Sequence, residues 1–166
     1  MTMVNLEIRA LNFRWNRRTN ITLPSRMMAE GNDELESLSP EVRRAPEVLS
    51  LRAQIYSKLK KWDLLQIVAK QLALDDVENP HWQILWASAT RRADCLEAAR
   101  LILLTAVERH PQSAIMHYNL ACYECQLGDV EVAKARLRHA FKVDAKLRAS
   151  ALDDEDLRPL WDSLGE

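Results

Sequence analysis

Glycine is scarce in this chain, 3 among 166 residues, and the scarcity is informative. It points to a helical protein with few sharp turns, and it leaves no material for a phosphate-cradling glycine loop. Long apolar runs are absent too. The longest, such as Leu101-Ile102-Leu103-Leu104, fall far short of the roughly 20 residues that span a bilayer. The N-terminal stretch has no continuous apolar segment of the secretory kind. Cysteine is sparse, and its count of 3 is odd, with two thiols close together on one predicted helix. That argues against a disulfide framework and for a reducing compartment, so the expected location is cytoplasmic. A broad basic field is missing as well. Net charge is −1 but unevenly placed: residues 1–26 hold five Arg against one Glu, and residues 151–166 hold six acids against Arg158. The near-neutral middle offers nucleic acid no extended positive surface.

The chain does hold one domain's worth of residues, 48% of them hydrophobic and 28% charged, enough for a real core. It also holds a register. Ala53, Ala87 and Ala121 recur at an offset of 34, as do Lys60, Asp94 and Gly128. Ala99 and Leu103 are echoed by Ala133 and Leu137, and Pro111 by Asp144 within a residue. A fixed period of this length marks stacked helix pairs rather than a closed enzyme domain.

Residues 1–26 do not share the pattern. Val4, Leu6 and Ile8 alternate weakly before Arg14, Arg17 and Arg18 interrupt. The segment reads as disordered or as a non-native extension, with Met27-Met28 a candidate start and an organellar leader the alternative. Residues 27–45 read as a partial repeat in which helix begins near Ala29, carries Leu35 and Leu38 on one face, and closes at Ser39-Pro40. Helices are then predicted at about 46–59, 62–75, 80–92, 95–109, 113–126 and 129–142. Asn79-Pro80, His110-Pro111 and Gly128-Asp129 mark breaks between them. Within residues 148–166 a last helix near 154–164, N-capped by Asp153 or Asp154, would carry Leu157, Leu160, Trp161 and Leu164 on one stripe and cap the stack.

These residues resemble the tetratricopeptide repeat family in its bacterial form. The closest stretch runs through Tyr118-Asn119-Leu120-Ala121-Cys122-Tyr123, the turn Gly128-Asp129, and Ala133, Leu137 and Ala140. Trp86, Ala87, Ala99, Leu103, Ala106 and Pro111 fill the preceding repeat, and Ala53, Tyr56, Leu65, Ala69 and Leu72 the one before. Arg52 stands in a core leucine slot, and Thr90 and Glu124 replace an aromatic. The resemblance implies an all-α, right-handed α-solenoid of antiparallel helix pairs. Its three full repeats would be 46–79, 80–113 and 114–147, with a partial N-terminal helix and a C-terminal capping helix.

The resemblance also implies that the first helix of each repeat lines a concave groove. The side chains then expected to face solvent or a ligand are Glu47, Ser50, Gln54 and Ser57 in the first repeat. In the second they are His81, Ile84, Ser88, Arg91 and Arg92, and in the third Ile115, Tyr118, Asn119, Cys122 and Cys125. Arg91 and Arg92 can grip a carboxylate and Tyr118 can anchor an apolar group, so the expected occupant is an acidic peptide or partner helix with apolar anchors. The plainer alternative is a set of solvated helix faces. Some family members clamp a C-terminal carboxylate with Lys and Asn where this chain has Ser50 and Gln54, so that clamp is not expected.

Other chemistry is weakly signalled. Cys122 and Cys125 form a C-x-x-C, but they fall mid-helix, away from the N-terminal dipole that activates redox thiols, and Glu124 opposes a thiolate. Zinc would need four ligands, and only His117 lies near, with Cys95 in a turn of the preceding repeat. His81, His110, His117 and His139 show no metal or triad spacing, and Trp62, Trp82 and Trp86 read as packing rather than a base-stacking platform. The sequence therefore predicts a non-enzymatic adaptor or scaffold, without metal, cofactor, nucleic acid or membrane insertion. A small chaperone for a secreted or membrane client is the first alternative, and a thiol- or metal-dependent enzyme at Cys122/Cys125 the second.

Overall fold

The computed structural model describes residues 25–164, and the expectations for residues 1–24 lie outside them. The described residues are helical throughout, without a strand. In order they form α1 (Ser25–Glu36), α2 (Pro40–Arg43), α3 (Pro46–Lys58), α4 (Trp62–Asp75), α5 (Pro80–Ala93), α6 (Leu96–Arg109), α7 (Ala114–Gln126), α8 (Val130–Val143) and α9 (Leu147–Ala151). A 3₁₀ helix (Glu155–Leu160) and α10 (Trp161–Leu164) follow. The starts at Pro46, Pro80 and Ala114, and at Trp62, Leu96 and Val130, each recur 34 residues on. None of these helices is long and apolar enough to cross a membrane.

Local chemistry sets the ends. Pro46 and Pro80 occupy the first turn, where a missing N–H costs nothing. Asn79 Oδ1 accepts from His81 N at 3.1 Å, Ser113 Oγ from Met116 N, and Cys95 serves as a cap, its Sγ accepting from Ala98 N. At two of the corresponding turns the chain closes in the same way. Lys61 N donates to Tyr56 O and Asp129 N to Glu124 O, at 2.9 and 2.8 Å. The residue inside each closure, Lys60 or Gly128, takes a positive φ of 55° or 89°. This is the paired-bond helix stop that favours glycine. Asp94, at the equivalent position between α5 and α6, instead has φ −129°.

The described residues divide into two compact units, the first ending at Leu72 and the second beginning at Ala73. In the first, α1 and α2 pack on α3, burying Leu35, Val42, Val48, Leu51 and Ile55. Ser39 opens α2 as its N-cap instead of closing a helix, and α1 begins earlier than expected, at Ser25. Arg52 reaches Glu36 at 2.9 Å.

In the second unit α5 packs on α6, α6 on α7, α7 on α8, and α5 also meets α7. Ala87, Ala99, Ala121 and Ala133 are wholly buried, and their small side chains let the helix backbones approach, with Leu103, Leu120 and Leu137 filling the space beside them. The final segment differs from the single helix expected at 154–164. Pro159 lies inside it, and proline lacks the N–H that an α-helix interior needs, so the chain runs as a 3₁₀ turn before α10. Leu157 and Leu160 still enter the core, and the segment packs on α7 and α8.

Truncating Leu120 to alanine is expected to cost about 2–5 kcal/mol through the cavity it leaves, read from denaturant unfolding; an unchanged midpoint would contradict its central place. Lys60→Gly should stabilise, and Gly128→Ala destabilise, each by about 1 kcal/mol, because only glycine adopts positive φ freely. A Cβ on Gly128 would meet nothing within 4 Å, so the backbone effect is isolated from packing; the same sign for both changes would refute this reading.

Candidate functional site: the acidic clamp on α5 and α7

α7 is buried on nearly every side, from Met116 to Cys125. A helix enclosed in this way needs partners all round. The core side is covered by α6 and α8, and the remaining side by the 3₁₀ helix. The residues that the sequence places on the outer face of α5 and α7 therefore have company.

Arg91, near the end of α5, is the centre. Its guanidinium bonds both carboxylate oxygens of Asp156, Nη1 to Oδ2 and Nη2 to Oδ1, and Nη2 also donates to Gln126 Oε1 at 2.9 Å. Gln126 in turn donates its Nε2 to Asp156. The guanidinium carbon lies 5.5 Å from the centre of the Tyr123 ring, close enough for a cation–π contact. Arg91 and Asp156 keep only 26% and 24% of their side chains exposed, so the pair is partly screened from water. The hydrogen bonds to Asp156 raise the Arg91 pKa, against a desolvation that lowers it.

Asp154 forms the second anchor. Its Oδ2 accepts from Tyr118 Oη at 2.8 Å and lies 3.6 Å from Cys122 Sγ, while Oδ1 caps the 3₁₀ helix by accepting from Asp156 N at 3.1 Å. Desolvation first, then the neighbouring Asp154, pushes the Tyr118 hydroxyl and the Cys122 thiol well above their usual ranges. Burial also raises Cys125, with the charge of Asp156 adding to it. These are protonated, donating groups rather than activated nucleophiles.

The Cys122 sulfur and carboxylate oxygens of Asp154 and Asp156 lie within 4.8 Å of one another, a spacing that a metal could use. The positive charge such a cluster requires is already supplied by Arg91, and the thiol's raised pKa works against a thiolate ligand. The cluster fits an ion pair better than a metal centre.

The other residues of the expected groove are placed as follows. Ser50 is half-buried and Gln54 exposed, both in the first unit. In the second unit His81 is exposed, Ile84 packs against the core, and Ser88 accepts a hydrogen bond from Arg92 at 2.8 Å. Arg92 thus folds back on its own helix, apart from the clamp. Ile115 is exposed and Asn119 half-buried, whereas Tyr118, Cys122 and Cys125 are buried. The sequence reading left those three facing solvent or a ligand; what they face is the chain's own C-terminal segment. Asp156 and Gln126 were not singled out, and Asp154 was named only as a helix N-cap, a role it does fill for the 3₁₀ helix. The signal was the acidic run at residues 153–156, opposite in sign to Arg91.

Glu124, expected near the thiols as an opposing charge, points elsewhere. It is 1% exposed, and its Oε2 lies 2.8 Å from Arg100 Nε of α6 in a close ion pair rather than an aligned hydrogen bond. His117 and His139 meet at 4.0 Å between ring centres with their planes tilted by 43°, each placing Nε2 3.0 Å from the Pro111 carbonyl oxygen. Burial, with a contribution from His139, lowers the His117 pKa. On a different face Leu74, Trp86, Leu101 and Ile102 line a cleft of about 780 Å³, and none of the expected groove residues borders it.

No protein-family model, curated protein or solved structure matches the chain. The site is therefore read from its own chemistry.

Thiol titration of the folded protein tests the burial. Cys95 is exposed and Cys122 and Cys125 buried, so one thiol should react at once with an aromatic disulfide reagent and two only slowly. Three fast thiols would show that the segment does not cover α7.

Proposed function

We propose that this chain is an interaction module of the tetratricopeptide kind, an adaptor or scaffold that holds an acidic segment with apolar anchors on α5 and α7. The reading is supported by the 34-residue recurrence of the helix starts and by the small-residue contacts within the second unit. The single observation that carries it is the Arg91 clamp: a forked guanidinium, a tyrosine hydroxyl and a glutamine amide converge on two carboxylates presented two residues apart. That is the chemistry of peptide recognition, with charge fixing register and leucines supplying affinity. No step of bond-making chemistry is suggested by the same residues, whose thiol and phenol are held protonated. Adaptor action and the holding of a client protein both use such a surface. A cytoplasmic setting suits its unpaired thiols.

Affinity capture with the full chain distinguishes a binding face from a solvated one. A partner held by the wild type should be lost with Arg91→Glu and less affected by Arg92→Glu, because Arg91 is the guanidinium that forks onto the carboxylate. If every captured protein survives Arg91→Glu, recognition through this face is wrong.

A further inference from the structure

The segment seated on α7 has the features of a ligand. It presents Asp154 and Asp156 to Tyr118, Arg91 and Gln126, and it inserts Leu157 and Leu160, both at most 1% exposed. Its own internal support is slight. It is six residues of 3₁₀ helix with a proline inside, and 3₁₀ hydrogen bonds are poorer in geometry than α-helical ones. It is preceded by Leu152 and Asp153, both exposed, and about a quarter of the Arg91 and Asp156 side chains remains in contact with water. What holds it is contact with α7 and α8, together with the clamp.

Building on the interaction reading above, we propose that residues 153–160 are an exchangeable internal occupant of the binding face. The external partner is then a protein segment of the same chemistry, Asp-x-Asp-Leu-x-x-Leu, which competes with the chain's own copy. Both halves of the pattern are required. The carboxylate at the position of Asp156 satisfies the guanidinium of Arg91, which would otherwise be left partly buried and unpaired. The two leucines three residues apart enter the same buried core as Tyr118 and Cys122. An acidic peptide without leucines would satisfy the arginine and leave apolar surface wet. An apolar peptide without the acid would strand the charge. Because the internal copy is always present at the site, it lowers the apparent affinity of the outside partner by the fraction of time the face is closed. The segment thereby sets a threshold that rejects weakly matching partners.

The test uses the full chain and a fluorescent peptide with the sequence of residues 152–164. Three proteins are compared: wild type, the double variant Asp154→Asn/Asp156→Asn, and that variant with Arg91→Glu added. Circular dichroism establishes that each is folded. Anisotropy should show the double variant binding the peptide at least about tenfold more tightly than wild type, and the triple variant losing that gain. In a Cys95→Ser/Cys125→Ser background, modification of Cys122 should be faster in the double variant than in wild type and slowed again by added peptide. Equal peptide affinity for wild type and the double variant, or Cys122 reactivity unchanged between them, would overturn the exchange and leave the segment a permanent cap. Absence of peptide binding by the folded double variant would also overturn it. Those failures are separable from failure of the interaction reading, which falls only if Arg91→Glu releases no captured partner.

Discussion

A guanidinium that is three-quarters covered has to find an anion, and in the second unit that requirement falls on Arg91. The charge sits near the end of α5 against the ring of Tyr123, where water reaches it poorly. Left alone it would carry a desolvation penalty larger than one helix's surface can offset. Asp156 meets it with both oxygens, and this choice fixes much else. It brings the acidic end of the chain over α7, which then loses its solvent side. It sets Asp154 beside Tyr118 and Cys122, and it aligns Leu157 and Leu160 with the core between α7 and α8. The electrostatic pairing and the apolar burial act in the same register, each holding the other in place.

Beneath that pairing lies a simpler constraint. Ala87, Ala99, Ala121 and Ala133 permit close approach of the helices, and the leucines beside them determine how the helices interlock. The pair of half-buried Arg100 and buried Glu124 adds a polar link between α6 and α7. Its value is positional. Either partner alone would be a buried or half-buried charge without an answer.

Much of this was legible in the sequence. Helix starts at Pro46, Pro80 and Ala114, and the breaks at Asn79, His110 and Gly128, follow from capping and backbone chemistry that acts over a few residues, which a sequence displays directly. That Arg91, Tyr118 and Cys122 lie on one side of their helices was legible from their spacing. What covers them was not. The contact between Arg91 and Asp156 joins residues 65 positions apart, and no local rule reports such a pairing. The opposite charges at its two ends were visible separately. The broken final helix was half legible: the leucine stripe was read from its spacing, while Pro159 forced the 3₁₀ course that let Asp154 and Asp156 turn toward α5 and α7. The partner of Glu124 was as hard to foresee as that of Arg91, because Arg100 lies on another helix.

The central claim is that Arg91 and Asp156 hold the acidic segment on α7 as a coupled pair, and a double-mutant cycle measures that coupling without reference to any partner. Unfolding free energies of wild type, Arg91→Ala, Asp156→Ala and the double variant should give a coupling of about 1.5–3 kcal/mol, the range for hydrogen bonds to charged groups. The coupling should persist largely in high salt, because the pair is mostly covered. Additive effects of the two single changes, with a coupling near zero, would contradict the account.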